Sequence, residues 1–353
     1  LGDVYKRQVD EVIMGQVVQG GSGQAPARQA AIHAGVPGKV PAMTINKVCG
    51  SGLKAVMLAA QAIQCGDADI IVAGGMESMT NAPFASNLPR FGKKYGDINF
   101  SDLMVKDGLW DSFSNVHMGS LAEYTARKSG ITREEQDRFA YESHMKAIKA
   151  IDSGKFKEEI IPLEVKTKKG VVVIDTDEGP RRDTSLEKLA KLPPAFEKDG
   201  TVTAGNSPGL NDGAAAVVVM SKERAQSLGL EPIGVITAYA SAGVEPRDLF
   251  YAPIYAVRKV MDKLGIRDID YFELIELNEA FSAQVLADYK ELQWDWSKFN
   301  VHGGAVALGH PIGASGARVL VTLLYAMKDR GVHKGLASLC LGGGNAVAMA
   351  IER

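Results

Sequence analysis

The sequence predicts an α/β protein made of two related halves, and three observations carry that prediction. One order of features occurs twice, first around Cys49–Gly75 and again over Ile312–Gly344: a glycine-broken turn, a Ser–Gly pair, an apolar helix, a strand and a glycine pair. Ser51–Gly52 in the first copy matches Ser315–Gly316 in the second. The stretch VDEVIMG, from Val9, is echoed by DYFELIELNEA at Asp270–Ala280. Between the copies, Thr80 to Thr203 has a different texture, richer in charge and turns. A repeated β/α unit interrupted by one non-repeating insertion accounts for all three, and long insertions of that kind are commonly lids or binding loops.

Taken in order, Val9–Val18 reads as an acid-led strand and Pro26–Ala34 as a short helix, with proline in its first turn and Gly35 after it. Leu53, Val56, Met57, Ala60 and Ile63 recur at helical spacing, so NKVCGSGLKAV, from Asn46, opens an amphipathic helix that ends at Gly66. Asp69–Gly75 is a buried strand running into a glycine turn. In the insertion, Thr132 and Glu135 form a capping box for a helix whose apolar face is Phe139, Ala140, Ala147, Ile148 and Ile151. Gly170–Asp175 is a strand, and Ala204–Ser221 returns to the core through a turn and an apolar strand. In the second copy Val319, Leu320, Leu323, Leu324 and Met327 share one helical face. Lys328, Arg330 and Gly331 give that helix a cationic, glycine-terminated end, and Gly335–Gly344 is a strand entering a glycine turn.

Composition narrows the function. The chain has 353 residues, 46% hydrophobic and 23% charged, enough for a large core and two domains or subdomains. A formal net charge of −2 leaves no footprint for nucleic acid or an anionic membrane. No apolar run is long enough to span a bilayer, and no signal peptide is visible. The three cysteines, at 49, 65 and 340, make neither a disulfide framework nor a metal site, which suits a reducing cytoplasm. The sequence starts at Leu1, and the patternless LGDVYKRQ is read as the start of a fragment or as foreign residues.

Four places can carry chemistry. Cys49 precedes a turn in which Gly50 and Gly52 allow close approach of a ligand, and the amides of the following helix would favour an anion and lower the thiol pKa. Alone, a cysteine in such a turn is structural as often as reactive. His310 lies in GGAVALGHPIGASG, Gly303–Gly316, among residues too small to bury it in ordinary core. If the halves pack about a pseudo-twofold axis, Cys49 and His310 meet as nucleophile and base. Cys340 ends a strand before Gly342–Gly344, whose amides can stabilise an oxyanion. Asn278 opens NEAF, where it can hold a water or an oxyanion. Cys65 is read as structural, and His33, His144, His302 and His333 as surface or structural. No P-loop is encoded, and GGSG at Gly20–Gly23 lacks the rest of a dinucleotide site.

Together NKVCGSGLKAV, GGMESM (Gly74–Met79), VHMGSLAE (Val116–Glu123), GTVTAGN (Gly200–Asn206), NEAF, GGAVALGHPIGASG and CLGGG resemble the thiolase family, in order and over nearly the whole chain from Val9. The resemblance implies the thiolase fold: duplicated βαβαβαββ halves in five α-β-α-β-α layers with an inserted loop domain. The N-terminal half would comprise 1–79 and 206–228, the coenzyme A-binding loop domain 80–205 and the C-terminal half 229–353. Two departures stand out. The family's first strand and helix are missing before VDEVIMG, and Pro208 replaces a serine common in the family.

The resemblance also implies roles. Cys49 is the nucleophile that takes an acetyl group, His310 activates it, and Cys340 is the second acid/base. His310 and a water on Asn278 form one oxyanion hole, and the amides of Cys49 and Gly342 the other. His117 and Met118 match the pantetheine loop. Arg181, Ala204, Ser207, Pro208 and Phe281 fall where coenzyme A is contacted. The implied reaction condenses two acetyl-CoA to acetoacetyl-CoA and coenzyme A, or reverses it, with no cofactor or metal. A degradative 3-ketoacyl-CoA thiolase for longer chains and a non-catalytic acyl-CoA-binding relative are the alternatives; Cys340 argues against a decarboxylating ketoacyl synthase. The partners implied are the coenzyme A thioesters and further copies of the chain. A homodimer or homotetramer is expected, and Leu88–Leu109 resembles the family's tetramer-forming loop.

Overall fold

The computed structural model describes residues 6–168 and 170–353; residues 1–5 of the leading octet lie outside the described residues. Two four-stranded sheets form the frame. The first contains β1 (Glu11–Gly15), β2 (Ala42–Ile45), β3 (Ile70–Ser78) and β4 (Asp212–Met220) in the order β4-β3-β1-β2. β1 runs parallel to β2 and β3, and β4 antiparallel to β3. The second contains β5 (Val235–Gly243), β6 (Leu274–Leu277), β7 (Lys334–Leu341) and β8 (Asn345–Glu352) in the order β5-β8-β7-β6. Here β6 is parallel to β7, and β8 is antiparallel to both β7 and β5. The run β4-β3-β1 and the run β8-β7-β6 therefore repeat one pattern of directions. The outer edge of β8 carries β5, whereas that of β4 carries no strand among the described residues.

The helices that order the layers and the site are α1 (Pro26–His33), α2 (Ser51–Cys65), α3 (Met118–Ser129), α4 (Arg133–Asp152), α5 (Ala252–Leu264), α6 (Ser282–Leu292) and α7 (Ser315–Arg330). α1 covers one face of the first sheet and α5 the outer face of the second. Between the sheets lie α2 and α7, packed on each other and on strands of both sheets, which completes the five α-β-α-β-α layers. The apolar stripe of α7 is wholly buried, as are Leu53, Val56, Met57 and Ala60 of α2. By length and composition Val48–Cys65 would pass for a membrane span, but half of it is buried in this central layer. Gly66 and Gly331 end the two helices in the left-handed conformation.

Several elements differ in extent from the sequence reading. The first strand stops at Gly15: Gln16 N makes a last bond to Ile45 O at 3.0 Å, and the amides of Val17 and Val18 bond instead to the Glu77 carboxylate, at 3.1 and 3.2 Å. In the second copy only Leu274–Leu277 is strand, because Asp268 caps a turn at Ile269–Tyr271 and the Asn300 side chain takes both backbone groups of Leu277, at 3.0 and 2.9 Å. Strands β2 and β8 carry no clear alternation, and β5 alternates only through the small Ala238, Ala240 and Ala242, too weak an apolar signal to mark a strand. The capping box forms as expected: Thr132 Oγ1 accepts from Glu135 N and the Glu135 carboxylate accepts from Thr132 N. Beside α3 and α4, the stretch between β3 and β4 adds an exposed hairpin of Leu163–Thr167 with Gly170–Ile174.

Candidate active site

The Cys49 turn is built by its neighbours. Ser51 Oγ accepts from Lys47 N at 2.8 Å and donates to Val48 O at 2.6 Å, while Val48 N donates to Asn46 Oδ1 and Val48 itself takes a left-handed φ of 48°. Gly50 is required because a Cβ there would lie 2.5 Å from the Leu341 side chain. The turn is thereby pressed against the C-terminal end of β7. Gly342, just past that end, lies against the same turn: a Cβ on it would be 3.2 Å from the Val48 side chain.

Cys340, the penultimate residue of β7, is 1% exposed, and Cys49 is close enough to oppose its ionisation. It packs in an apolar cluster with Met118, Leu249, Phe250 and Phe281. Burial, then Cys49 and the buried Asp288, pushes its thiol well above the usual range.

His310 arrives from the second half on a loop fixed by Asn211, whose Oδ1 accepts the His310 N–H at 3.0 Å. Its ring is held at both nitrogens: Nδ1 is 2.5 Å from Ser315 Oγ and Nε2 is 3.4 Å from Asn278 Nδ2. Asn278 follows β6 directly, its N–H donating to Ser338 O of the neighbouring strand. Its Oδ1 is buried with no protein partner, so the site has room in its hydrogen bonding for one more donor. The expectation that small neighbours leave His310 open is corrected. It is 8% exposed, covered by the layered halves rather than by bulky neighbours in sequence, and burial lowers its pKa to about 4.

A second correction concerns Cys49. A helix N-terminus was expected to lower its thiol pKa, yet burial pushes it up to about 11, outweighing the amides of Gly342 and Cys49 itself. Part of Cys49 remains accessible, but enough protein surrounds the sulfur for desolvation to dominate. At rest Cys49 is therefore a neutral thiol and His310 a neutral imidazole.

His117 caps α3, its Nδ1 accepting from Gly119 N at 3.0 Å, and Met118 follows it into the apolar cluster. The His117 ring stacks on Phe196 at 4.8 Å, and Phe281 meets Phe196 and Phe250 edge-on at 6.1 and 5.4 Å. Phe196 and Phe250 were missed in the sequence; each sits in a stretch without periodicity, so nothing marked it. Glu123, within VHMGSLAE, accepts the N–H groups of Thr201 and Val202 at 2.8 Å, tying GTVTAGN to α3. Ser282 N donates to Asn206 O, tying it to NEAF.

Arg181, Ala204 and Ser207 line a separate cavity of about 660 Å³ whose wall includes Asn211 and Gly309, the residue before His310. Ser207 Oγ is buried with no protein partner. Pro208 lies between two lining residues and is not itself part of the wall. The structure thus brings Cys49, Gly342 and Cys340 together and joins His310 to Asn278. Met118 and Phe281 share the apolar cluster of Cys340, with His117 stacked on Phe196 at its edge, while Arg181, Ala204 and Ser207 line the 660 Å³ cavity. Cys65, read as structural, is exposed at the end of α2. His33 and His333 are exposed; His144 and His302 are buried, the first accepting from Arg181 N at 3.1 Å, the second edge-on to Phe156. Among the described residues no cluster of three acidic, histidine or cysteine side chains is arranged to hold a metal.

Comparison with known proteins bears on the same arrangement. The family models described as "Thiolase, N-terminal domain" and "Thiolase, C-terminal domain" match residues 2–223 and 230–353. The acetyl-CoA acetyltransferase of Pseudomonas aeruginosa is 57% identical over 347 residues, covering 98% of this chain and 88% of the relative. The probable acetyl-CoA acetyltransferase of Escherichia coli is 52% identical over the same shares of both chains. The crystal structure of the Bacillus anthracis acetyl-CoA acetyltransferase superposes with a TM-score of 0.95 at 45% identity, covering 98% of this chain and 88% of that one. With both halves matched in sequence and the whole layered frame matched in space, this chain belongs to the thiolase family.

Proposed function

We propose that this chain is an acetyl-CoA C-acetyltransferase that condenses two acetyl-CoA to acetoacetyl-CoA and coenzyme A, and catalyses the reverse thiolysis. The observation that carries the reading is the Cys49 turn packed on the end of the strand that bears a second, buried thiol, Cys340: a Cβ on Gly50 would lie 2.5 Å from the Leu341 side chain and one on Gly342 3.2 Å from Val48. The names of the relatives, with 52–57% identity over nearly the full chain, support the same activity.

The neutral pair sets the order of proton movements. Cys49 Sγ attacks the thioester carbon of acetyl-CoA as its proton passes to His310 Nε2. The leaving coenzyme A sulfur takes the Cys340 proton, which leaves acetyl on Cys49, an imidazolium and a Cys340 thiolate. That thiolate removes the α-proton of a second acetyl-CoA, the resulting enolate carbon attacks the acetyl carbon, and Cys49 leaves and recovers its proton from His310. Cys340 ends protonated, so the cycle closes with acetoacetyl-CoA and one free coenzyme A. A thioester enolate needs fixed donors in a dry site. The His310 Nε2–H and a water on Asn278 serve one oxyanion, and the Cys49 and Gly342 amides serve the other.

Coenzyme A reaches the sulfurs along His117, Met118 and Phe281, with Arg181, Ala204, Ser207 and Pro208 along its outer part. The inserted 80–205 is the loop domain that binds it, between an N-terminal half of 1–79 with 206–228 and a C-terminal half of 229–353. The enzyme works in the cytoplasm as a homotetramer in which Leu88–Leu109 joins dimers. Mass spectrometry after mixing with acetyl-CoA tests the chemistry. An acetyl adduct on Cys49, absent from Cys49→Ala, is expected; coenzyme A binding without any adduct or turnover would replace this reading with a non-catalytic acyl-CoA-binding protein. A chain-length series of 3-ketoacyl-CoA substrates should favour the four-carbon one; a preference for longer chains would make it a degradative thiolase.

A further inference from the structure

The hydroxyl of Ser315 lies between two partners. It is 2.5 Å from His310 Nδ1 and donates to Pro311 O at 2.9 Å. A serine hydroxyl has one proton and two lone pairs. With its proton on the Pro311 carbonyl, Ser315 can only accept from the imidazole, so Nδ1 must carry the ring proton. The other nitrogen, Nε2, is then unprotonated and faces the donor group of Asn278 at 3.4 Å. All three contacts agree on one tautomer. Reversing it would turn the Ser315 proton away from Pro311 O and set Nε2–H against the Asn278 amide hydrogens.

The surroundings hold this arrangement rigidly. Ser315 is 0% exposed and is the first residue of α7, where its N–H also bonds to Pro311 O at 2.9 Å. Its counterpart in the first half, Ser51, makes the same kind of bond back to Val48 O but uses its lone pair on the Lys47 amide. One repeated serine thus braces two turns, and only in the second half does the freed lone pair meet a histidine.

We infer that Ser315 is a positioning residue that locks His310 in the Nδ1–H tautomer, so that Nε2 is the nitrogen that takes the Cys49 proton. The inference rests on the thiolase reading for its role in the reaction, but the tautomer itself is a property of the resting protein. A neutral hydroxyl orients the ring without adding a negative charge beside it. The imidazolium formed during transfer keeps Nδ1–H on Ser315 and presents Nε2–H to the acyl oxygen.

Long-range proton–nitrogen NMR of the full chain labelled with nitrogen-15 histidine reads the tautomer directly, with the His310 signals assigned by their loss in His310→Gln. The expected pattern is Nδ1 protonated and Nε2 bare; a protonated Nε2 in the resting protein overturns the inference. In Ser315→Ala the ring should sample both tautomers. Single-turnover acetylation of Cys49 should then slow by about 10- to 100-fold, by analogy with the loss of a group that orients a metal-ligating histidine. Coenzyme A affinity should be unchanged, and Ser315→Thr, which restores the hydroxyl, should recover the rate. Wild-type acetylation by a folded Ser315→Ala protein also overturns the inference. If Ser315→Ala does not fold, the wild-type spectrum alone decides. Failure of the wild-type protein to acetylate Cys49 would instead remove the thiolase reading and leave the tautomer result standing.

Discussion

Gly52 of the first half and Gly316 of the second pass each other at backbone contact. A Cβ on Gly52 would lie 2.6 Å from Ala317 N, and a Cβ on Gly316 would lie 2.4 Å from Leu53 N. The relation is reciprocal, as the duplicated halves require, and it is where α2 and α7 cross at their N-termini. Cys49 stands three residues before one glycine and His310 six before the other, so this crossing fixes how the two turns that carry them sit relative to each other. Gly316→Ala should cost about 1–3 kcal/mol by overpacking. It should also lower activity by more than the loss of folded protein, because the two turns are forced apart. Urea unfolding measured beside the acetylation rate checks this; a destabilised variant with an unchanged rate per folded molecule would show that the crossing fixes stability alone.

Glu77 ties the halves together by a different means. Its carboxylate accepts N–H groups from Val17 and Val18 in the first half and from Gly313, at 2.9 Å, in the loop that carries His310. Glu77→Ala would leave three backbone donors without their acceptor, each costing about 1–3 kcal/mol if it stays buried and unpaired. Unfolding well below the wild-type urea midpoint is expected, with Glu77→Gln intermediate because one oxygen remains. Equal midpoints for Ala and Gln would mean that water replaces the carboxylate at no net loss.

The aromatic wall near the sulfurs depends on one small residue. A Cβ on Gly119 would lie 2.3 Å from the Phe196 ring. Gly119→Ala has room only if Phe196 leaves its stack on His117, although alanine itself suits a helix better than glycine. The Michaelis constant for acetyl-CoA should rise while the Cys49 adduct still forms at saturating substrate. An unchanged Michaelis constant would mean the stack plays no part in holding the thioester.

Much of this arrangement was legible because it rests on backbone needs that leave marks in sequence. The capping box at Thr132 and Glu135 and the glycine ends of α2 and α7 each name a residue that a local conformation requires, whereas the glycines around Cys49 answer to Leu341 and Ala317 in the other half. The packing of the Cys49 turn on the end of the strand that bears Cys340, and of His310 on Asn278, could be anticipated only through the repeat and the family resemblance, since no local rule joins residues so far apart. Phe196, Phe250, Glu77 and the orienting role of Ser315 were not visible, because each matters through a partner distant in the chain or across a turn. The direction of the Cys49 shift was misread for the same reason. The favourable amides are local and readable, whereas the larger desolvation comes from layers that exist only after folding.

The pH dependence of acetylation follows from the two opposed shifts. His310, lowered to about 4, is a free base throughout the neutral range, and Cys49, raised to about 11, is a thiol over the same range. The reactive neutral pair therefore persists from about pH 4 to about pH 11, and Cys49 acetylation should be nearly flat between pH 6 and 9. Removing the base changes the rule. In His310→Asn the thiol must ionise before it attacks, so the rate should climb about tenfold per pH unit in that interval, as the thiolate fraction does below its pKa. Single-turnover acetylation across the range distinguishes the cases. A wild-type acid limb centred near 6.5, the ordinary histidine value, would mean that water reaches the ring and that burial does not keep His310 neutral. A variant as flat as the wild type would mean that another group takes the Cys49 proton.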